Sequence, residues 1–165
     1  MYKIELLTDV HDTDSFDCGD ERKNIFLRKY ALQNTKGGLG RTFVAIKPDE
    51  EPGRVYGYYT ISSSAVKFET PPSSHLPHYP LPAVLIGKPA TDIQAQNQGL
   101  GTALLFDALK RAARVAEEIG IFLVEIHAVD EKAKTIYEKR GFTPMEDNPL
   151  KLYMNLKKVR KLLSE

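Results

Sequence analysis

The chain has 165 residues, enough for one domain with a buried core, and its 42% hydrophobic and 27% charged residues exclude a disordered or fibrous chain. A formal net charge of +1 leaves no whole-molecule field to announce a polyanion binder, so any such role rests on local patches. The lone cysteine, Cys18, excludes an internal disulfide and a cysteine metal cluster.

The start, Met1-Tyr2-Lys3-Ile4-Glu5, has no secretory character, and no window reaches the apolar length of a membrane span. The expectation is a cytoplasmic protein forming a single domain over residues 1–165, with no metal. Apolar alternation predicts a strand over Lys3–Leu7. Asp17 or Asp20 then caps a helix running to Gln33. Ile25, Phe26, Leu27, Tyr30 and Leu32 fall mostly on one of its faces, and Arg22, Lys23, Arg28 and Lys29 mostly elsewhere. Lys36-Gly37-Gly38-Leu39-Gly40 reads as a flexible break. Thr42–Ile46 and Val55–Ser64 read as an antiparallel pair about the turn Asp49–Gly53. In the second, Val55, Gly57, Tyr59 and Ile61 face one way, and Tyr56, Tyr58 and Thr60 the other.

Pro71, Pro72, Pro77, Pro80 and Pro82 predict an irregular connection. Its His75 and His78 lack acidic or cysteine neighbours and read as surface residues. Ala83–Thr91 is a strand in which Pro89 breaks the pairing. From Leu100 to Ile119 the apolar residues keep helical spacing, and Gly120 ends the helix. Phe122–Ala128 is a strand, and Asp130 caps a helix over Glu131–Arg140 that Gly141 ends. Phe142–Met145 and Leu150–Leu156 read as closing strands, followed by a basic tail, Lys157–Lys161.

The stretch that carries chemistry is Gln96-Asn97-Gln98-Gly99-Leu100-Gly101, a tight turn between a strand and the long helix. The first N–H groups of a helix have no intrahelical acceptor, and the helix dipole favours negative charge there. Gly99 and Gly101 let the backbone approach a ligand with no Cβ in the way. Gly101-Thr102-Ala103 lacks the lysine of a Walker loop, and Leu104 stands where a Rossmann fingerprint needs its third glycine. Taken alone, the hexapeptide also suits an ordinary strand-to-helix turn.

Gln-x-x-Gly-x-Gly resembles the acetyl-CoA signature of the GNAT N-acetyltransferases. Ala133-Lys134-Thr135-Ile136-Tyr137-Glu138-Lys139-Arg140-Gly141-Phe142 is similar to that family's closing helix and turn. Phe16-Asp17-Cys18-Gly19, Arg41-Thr42-Phe43-Val44, His78-Tyr79-Pro80-Leu81-Pro82, Arg114–Gly120 and His127-Ala128 extend the likeness to the family's bacterial toxin branch, over nearly the whole chain. Members of that branch acetylate the α-amino group of aminoacyl-tRNA, block translation, and are usually encoded with a ribbon-helix-helix antitoxin. The resemblance therefore implies an α/β GNAT fold, a mixed and mostly antiparallel sheet flanked by helices. It implies acetyl-CoA as co-substrate, aminoacyl-tRNA as substrate and such an antitoxin as partner, and it admits a homodimer. The chain departs from the branch at Gly87-Lys88-Pro89-Ala90-Thr91-Asp92, where Gly-Arg-Leu-Ala-Val-Asp is typical, and at Asn97, where glycine is usual. Pro89 keeps a carbonyl but has no N–H.

Acyl transfer from a thioester needs a phosphate anchor, donors for an oxyanion and a proton for the leaving thiolate. The resemblance places the anchor on Gln96, Asn97, Gln98, Gly99, Leu100, Gly101 and Thr102. It places pantetheine and acetyl against the main chain of Ala90 and Thr91, and it assigns the proton to Tyr137. A tyrosine at that position on a helix equally suits packing against a sheet. Glu125 and His127 share a strand face and read either as a base or as a charged strand edge. An α-amine of pKa about 7.7–8 needs little help from a base, whereas a lysine amine near 10.4 does.

Lys110, Arg111 and Arg114, the basic residues of the first helix, and Lys157, Lys158, Arg160 and Lys161 are sources of RNA phosphate contacts. Glu21, Asp107, Glu117 and Glu118 are interspersed with them, as on any solvated helix. Two other readings stand beside the toxin-like one: a GNAT enzyme acting on a small amine or a protein, and a cofactor-impaired module that binds RNA or an antitoxin.

Overall fold

The structure is a computed structural model that describes residues 1–69 and 72–165; the expectation for Pro71 lies outside them. The strands are β1 (Lys3–Leu6), β2 (Arg41–Ile46), β3 (Gly57–Val66), β4 (Leu81–Thr91), β5 (Leu123–His127), β6 (Thr143–Pro144) and β7 (Lys151–Asn155). They form a mixed sheet in the order β1-β2-β3-β4-β5-β7-β6. β4 and β5 pair in parallel, while β1–β2, β2–β3, β5–β7 and β6–β7 are antiparallel. Two compact units make up the chain: Met1–Ser62 with Gly87–Ala108, and Ser63–Ile86 with Leu109–Glu165.

In the first unit, α1 (Glu21–Ile25) passes through a π-helical stretch, Phe26–Tyr30, into α2 (Ala31–Gly37). The Asp20 side chain accepts from Arg22 N–H and starts α1, and Gly38 at φ +79° ends α2. Lys36 and Gly37, expected in a loop, are therefore the last helical turn. The predicted apolar face also changes. The wider π turn shifts the helical phase, so Leu27 and Ala31 are buried while Tyr30 stays exposed.

The strand period of two puts a helix on each face of this half of the sheet. Tyr58, opposite Val44, meets Phe16 and Phe26 edge-on and stacked, and donates to Lys23 O at 2.8 Å. Tyr59, opposite Phe43, points the other way and donates to Asp107 Oδ2 on α3 (Leu100–Glu118). Gly57 shares the Tyr59 face. A Cβ there would stand 3.0 Å from Ala90 O and from a Leu104 methyl. We expect Gly57→Ala to lower stability by about 1–3 kcal/mol through overpacking against a backbone carbonyl, read as a lower denaturant midpoint at unchanged slope.

In the second unit, β4 and β5 run side by side from Ala83↔Leu123 to Ile86↔Ile126, and β7 flanks β5. Val66, Leu81, Ala83, Leu123 and Met145 form its core. Pro82, expected in the loop, belongs to β4, where its carbonyl accepts Phe122 N–H at 2.8 Å. Asp130 caps α4 (Glu131–Lys139) by accepting from Ala133 N–H, and Gly141 at φ +106° turns the chain away. Val115 and Ile119, expected on the inner face of the long helix, are exposed at 38% and 57%. The basic tail is a further helix, α5 (Leu156–Leu163), with Asn155 as N-cap and Leu156 and Val159 buried. Their three-residue spacing keeps both on the inner side and turns Lys157, Arg160 and Lys161 outward. Among the described residues no helix is long and apolar enough to cross a membrane.

Candidate active site

The turn between β4 and α3 is fixed from several directions within the first unit. Buried Asp92 accepts Gln94 N–H at 2.9 Å and Asp17 N–H at 3.1 Å, and Ile93 N–H donates to Asp17 O. The Gln96 side-chain amide donates to Cys18 O at 3.2 Å and Thr91 O at 3.0 Å. This glutamine thus ties the strand end to the segment before α1. Asn97 has φ +63° and Gly99 φ +83°. Asparagine is among the few residues with a side chain that enter this region readily, so the turn forms although glycine is absent at 97.

Tyr2 and Arg54 add contacts that no local pattern in the chain signals. Tyr2 OH donates to Gln98 Oε1 at 3.1 Å, and the Arg54 guanidinium donates to Gln94 Oε1 at 2.6 Å. Tyr2 and Arg54 both pack on the Tyr56 ring, which fixes their direction. Their partners lie 96 and 40 residues away in the chain, beyond any local pattern.

The first bond of α3 runs from Ala103 N–H to Gly99 O at 3.1 Å. The amides of Leu100 and Gly101 precede it and point out of the helix end. No acidic side chain sits in the first turn of α3, so nothing there neutralises the positive end of its dipole. A Cβ on Gly99 would meet open space, and one on Gly101 only Thr91 Oγ1 at 4.0 Å. A bare, rigid set of amides of this kind accepts a phosphate or diphosphate.

β4 approaches this turn through Gly87, Lys88 and Pro89. Gly87 has no room for a Cβ, which would stand 2.6 Å from Thr60 Oγ1. Lys88 takes φ +50° and lays its ammonium over the Phe26 ring at 4.4 Å. The register with β5 ends at Ile86, before Pro89. β4 itself runs on through Pro89 to Thr91.

In the second unit, Tyr137 sits half-buried on α4 with its ring against Phe142. Burial pushes its phenol up to about 12. Among the described residues no partner takes its hydroxyl. Glu125 is buried, and His127 Nε2 donates to its Oε1 at 2.5 Å, so the two strand residues act as a pair. Glu125 lines a cavity of about 360 Å³ with Lys67, Glu69, Asp147, Asn148 and Lys151.

Of the basic residues, Arg22 and Arg28 are paired with Asp20 and Glu21, and Lys158 donates to Gly141 O. Lys23 is turned onto Pro89 O at 3.0 Å. Lys110, Arg114, Lys157, Arg160 and Lys161 remain exposed. No group of three metal-ligating side chains stands together among the described residues.

A strand that runs on past its β5 pairing, then a glycine turn opening a helix with no acidic residue in its first turn, suits the phosphates of an acyl-CoA. The chain belongs to the GNAT acetyltransferase family and is an acetyl-CoA-dependent N-acetyltransferase; the family model described as an acetyltransferase (GNAT) domain matches residues 86–154. It is 32% identical over 162 residues to the tRNA-acetylating toxin of Mycobacterium tuberculosis (strain ATCC 25618 / H37Rv), covering 96% of this chain and 95% of that protein. It is similar, at a TM-score of 0.89 and 29% identity over 98% of this chain and 99% of the other, to AtaT complexed with acetyl-methionyl-tRNAfMet. A tyrosine-to-phenylalanine mutant of AtaT, bound to acetyl-CoA and the C-terminus of the antitoxin AtaR, matches at 0.85 and 28% identity over 99% of each chain.

Proposed function

We propose that this protein moves the acetyl group of acetyl-CoA onto the α-amino group of an aminoacyl-tRNA in the cytoplasm, blocks translation by doing so, and is held in check by a ribbon-helix-helix antitoxin. The whole chain acts as one acetyltransferase domain. The observation that carries the reading is the match along 98% of the chain to a structure holding acetyl-methionyl-tRNA.

In this reading Leu100 and Gly101 N–H, with Gln98 and Thr102 on either side, bind the diphosphate of acetyl-CoA. Gln96 and Asn97 hold the turn, and Ala90 and Thr91 meet the pantetheine and acetyl groups with their main chain. Acetyl-CoA supplies an acyl group on a good leaving sulfur. The amine attacks as its neutral form, which an α-amine of pKa about 8 already populates at neutral pH. Tyr137 holds a proton at the departing sulfur. The Glu125–His127 pair takes no step in this scheme, because the α-amine needs no strong base.

Tyr2 is a positioning residue for the loop. Losing its bond to Gln98 removes about 0.5–1.5 kcal/mol, so we expect Tyr2→Phe to raise KM for acetyl-CoA about 2–10-fold at unchanged kcat. Steady-state kinetics with acetyl-CoA varied checks this.

The substrate assignment is tested by offering charged tRNA, spermidine and a lysine peptide in parallel and following release of the CoA thiol. Turnover with charged tRNA far above the other two is the expected result. Turnover with spermidine or the peptide instead would replace the substrate assignment.

A further inference from the structure

Along the extended residues after Lys88 at the end of β4, main-chain polar groups alternate between the two edges of the strand. Asp92 N–H donates to Tyr56 O at 2.8 Å, and Ala90 O lies 3.0 Å from where a Cβ of Gly57 would stand. Ala90 and Asp92 therefore turn their main chain toward β3. Pro89 and Thr91 turn theirs to the opposite edge, beyond the end of the β4–β5 register at Ile86.

That edge is short of one donor, because Pro89 has no N–H. Its two carbonyls are already met by side chains. The Gln96 amide reaches Thr91 O, and the Lys23 ammonium reaches Pro89 O at 3.0 Å. Lys23 is held for this reach by its own backbone, which donates to Asp20 O at 3.1 Å and accepts from Tyr58 OH at 2.8 Å. Lys88, the nearer lysine in sequence, is diverted onto Phe26. An ammonium has three N–H bonds, and Pro89 O takes one. The edge thus carries a charged donor where the proline has removed a neutral one.

We propose that Lys23 is a catalytic residue whose ammonium donates a hydrogen bond to the acyl oxygen of the bound thioester and stabilises the oxyanion, in place of the N–H that Pro89 lacks. This rests on the reading that the main chain of Ala90 and Thr91 meets the pantetheine and acetyl groups. In the step, the amine lone pair forms the new N–C bond and the carbonyl π pair moves onto oxygen, facing the Lys23 cation. When that pair returns, the C–S bond breaks and sulfur leaves with its electrons. The amide nitrogen gives its proton to water, and sulfur takes one from Tyr137, which water restores. Lys23 keeps its proton throughout. A charged donor aimed at developing negative charge is stronger than a neutral amide in the same place.

The test is a double-mutant rescue on the full chain at saturating acetyl-CoA, with thermal unfolding followed alongside. Lys23→Met is expected to lower kcat by about 10²-fold or more, with KM for acetyl-CoA within about threefold of wild type. Pro89→Ala returns the N–H. In the Lys23→Met background it should recover about tenfold or more of the loss. Lys23→Arg, which keeps the charge, should retain more activity than Lys23→Met. An unchanged kcat in Lys23→Met, or a loss that Pro89→Ala does not relieve, overturns the assignment. If the wild-type enzyme acetylates spermidine and not charged tRNA, the substrate reading fails, and the same comparison run on spermidine still decides the role of Lys23.

Discussion

Tyr137→Phe is expected to lower kcat by about 10²–10⁴-fold while acetyl-CoA binds as tightly as before. The ring packs on Phe142, and phenylalanine keeps that contact, so the variant folds and loses only the hydroxyl. Burial raises the phenol to about 12, so it stays protonated at every pH where the enzyme works. At its ordinary pKa of about 10 a phenol is already a weaker acid than a free thiol of about 8.5, and burial widens the gap. Proton transfer is therefore coupled to C–S cleavage, when charge on sulfur is greatest, and does not precede it.

The pH profile follows from the signs. kcat/KM should rise as the substrate α-amine loses its proton near pH 8, and no descending limb should follow near pH 10, because a group raised to about 12 has not yet ionised there. A limb falling near pH 10 in the wild type, absent in Tyr137→Phe, would mean that an unshifted phenol does the work. Unchanged turnover in Tyr137→Phe would remove the role altogether.

Gly101→Asp is expected to separate stability from binding in opposite directions. Gly101 lies in the first turn of α3, where a new side chain meets nothing closer than Thr91 Oγ1 at 4.0 Å. A carboxylate there suits the positive end of the helix and removes a glycine from helical backbone, which together favour the fold by about 1 kcal/mol. The same carboxylate occupies the amides proposed to bind diphosphate and repels its charge. Loss of two charge-assisted hydrogen bonds, at about 1.5–3 kcal/mol each, predicts at least about 10²-fold weaker acetyl-CoA binding. Calorimetric titration and thermal unfolding of one sample read both effects. Retained affinity would place the diphosphate elsewhere; a large drop in melting temperature would mean that the substitution acts through the fold.

The parts of this molecule legible in the sequence are those written in local periodicity. Strand alternation gave the opposed faces of Tyr58 and Tyr59, and glycine and aspartate punctuation gave the ends of α3 and α4. The loop Gln96–Gly101 was legible because its chemistry is local: two glycines, then a helix. What escaped was long-range or broke a period. A π-helical stretch moved Tyr30 off the expected face, and a helix with two buried residues among four basic ones looked like a solvated tail. Tyr2 on Gln98, Arg54 on Gln94 and Lys23 on Pro89 O join residues whose separation in the chain exceeds any motif. Lys23 in particular reads as one more surface charge until the fold carries it to a proline carbonyl.

The most direct test is mass spectrometry of the aminoacyl-adenosine released by nuclease from charged tRNA that has been incubated with this protein and acetyl-CoA. The account predicts a single added acetyl group on the α-nitrogen, formed by the wild-type chain and nearly lost with Gly101→Asp. Aminoacyl-adenosine recovered without acetyl, while CoA thiol is released by acetyl transfer to another amine, would contradict it.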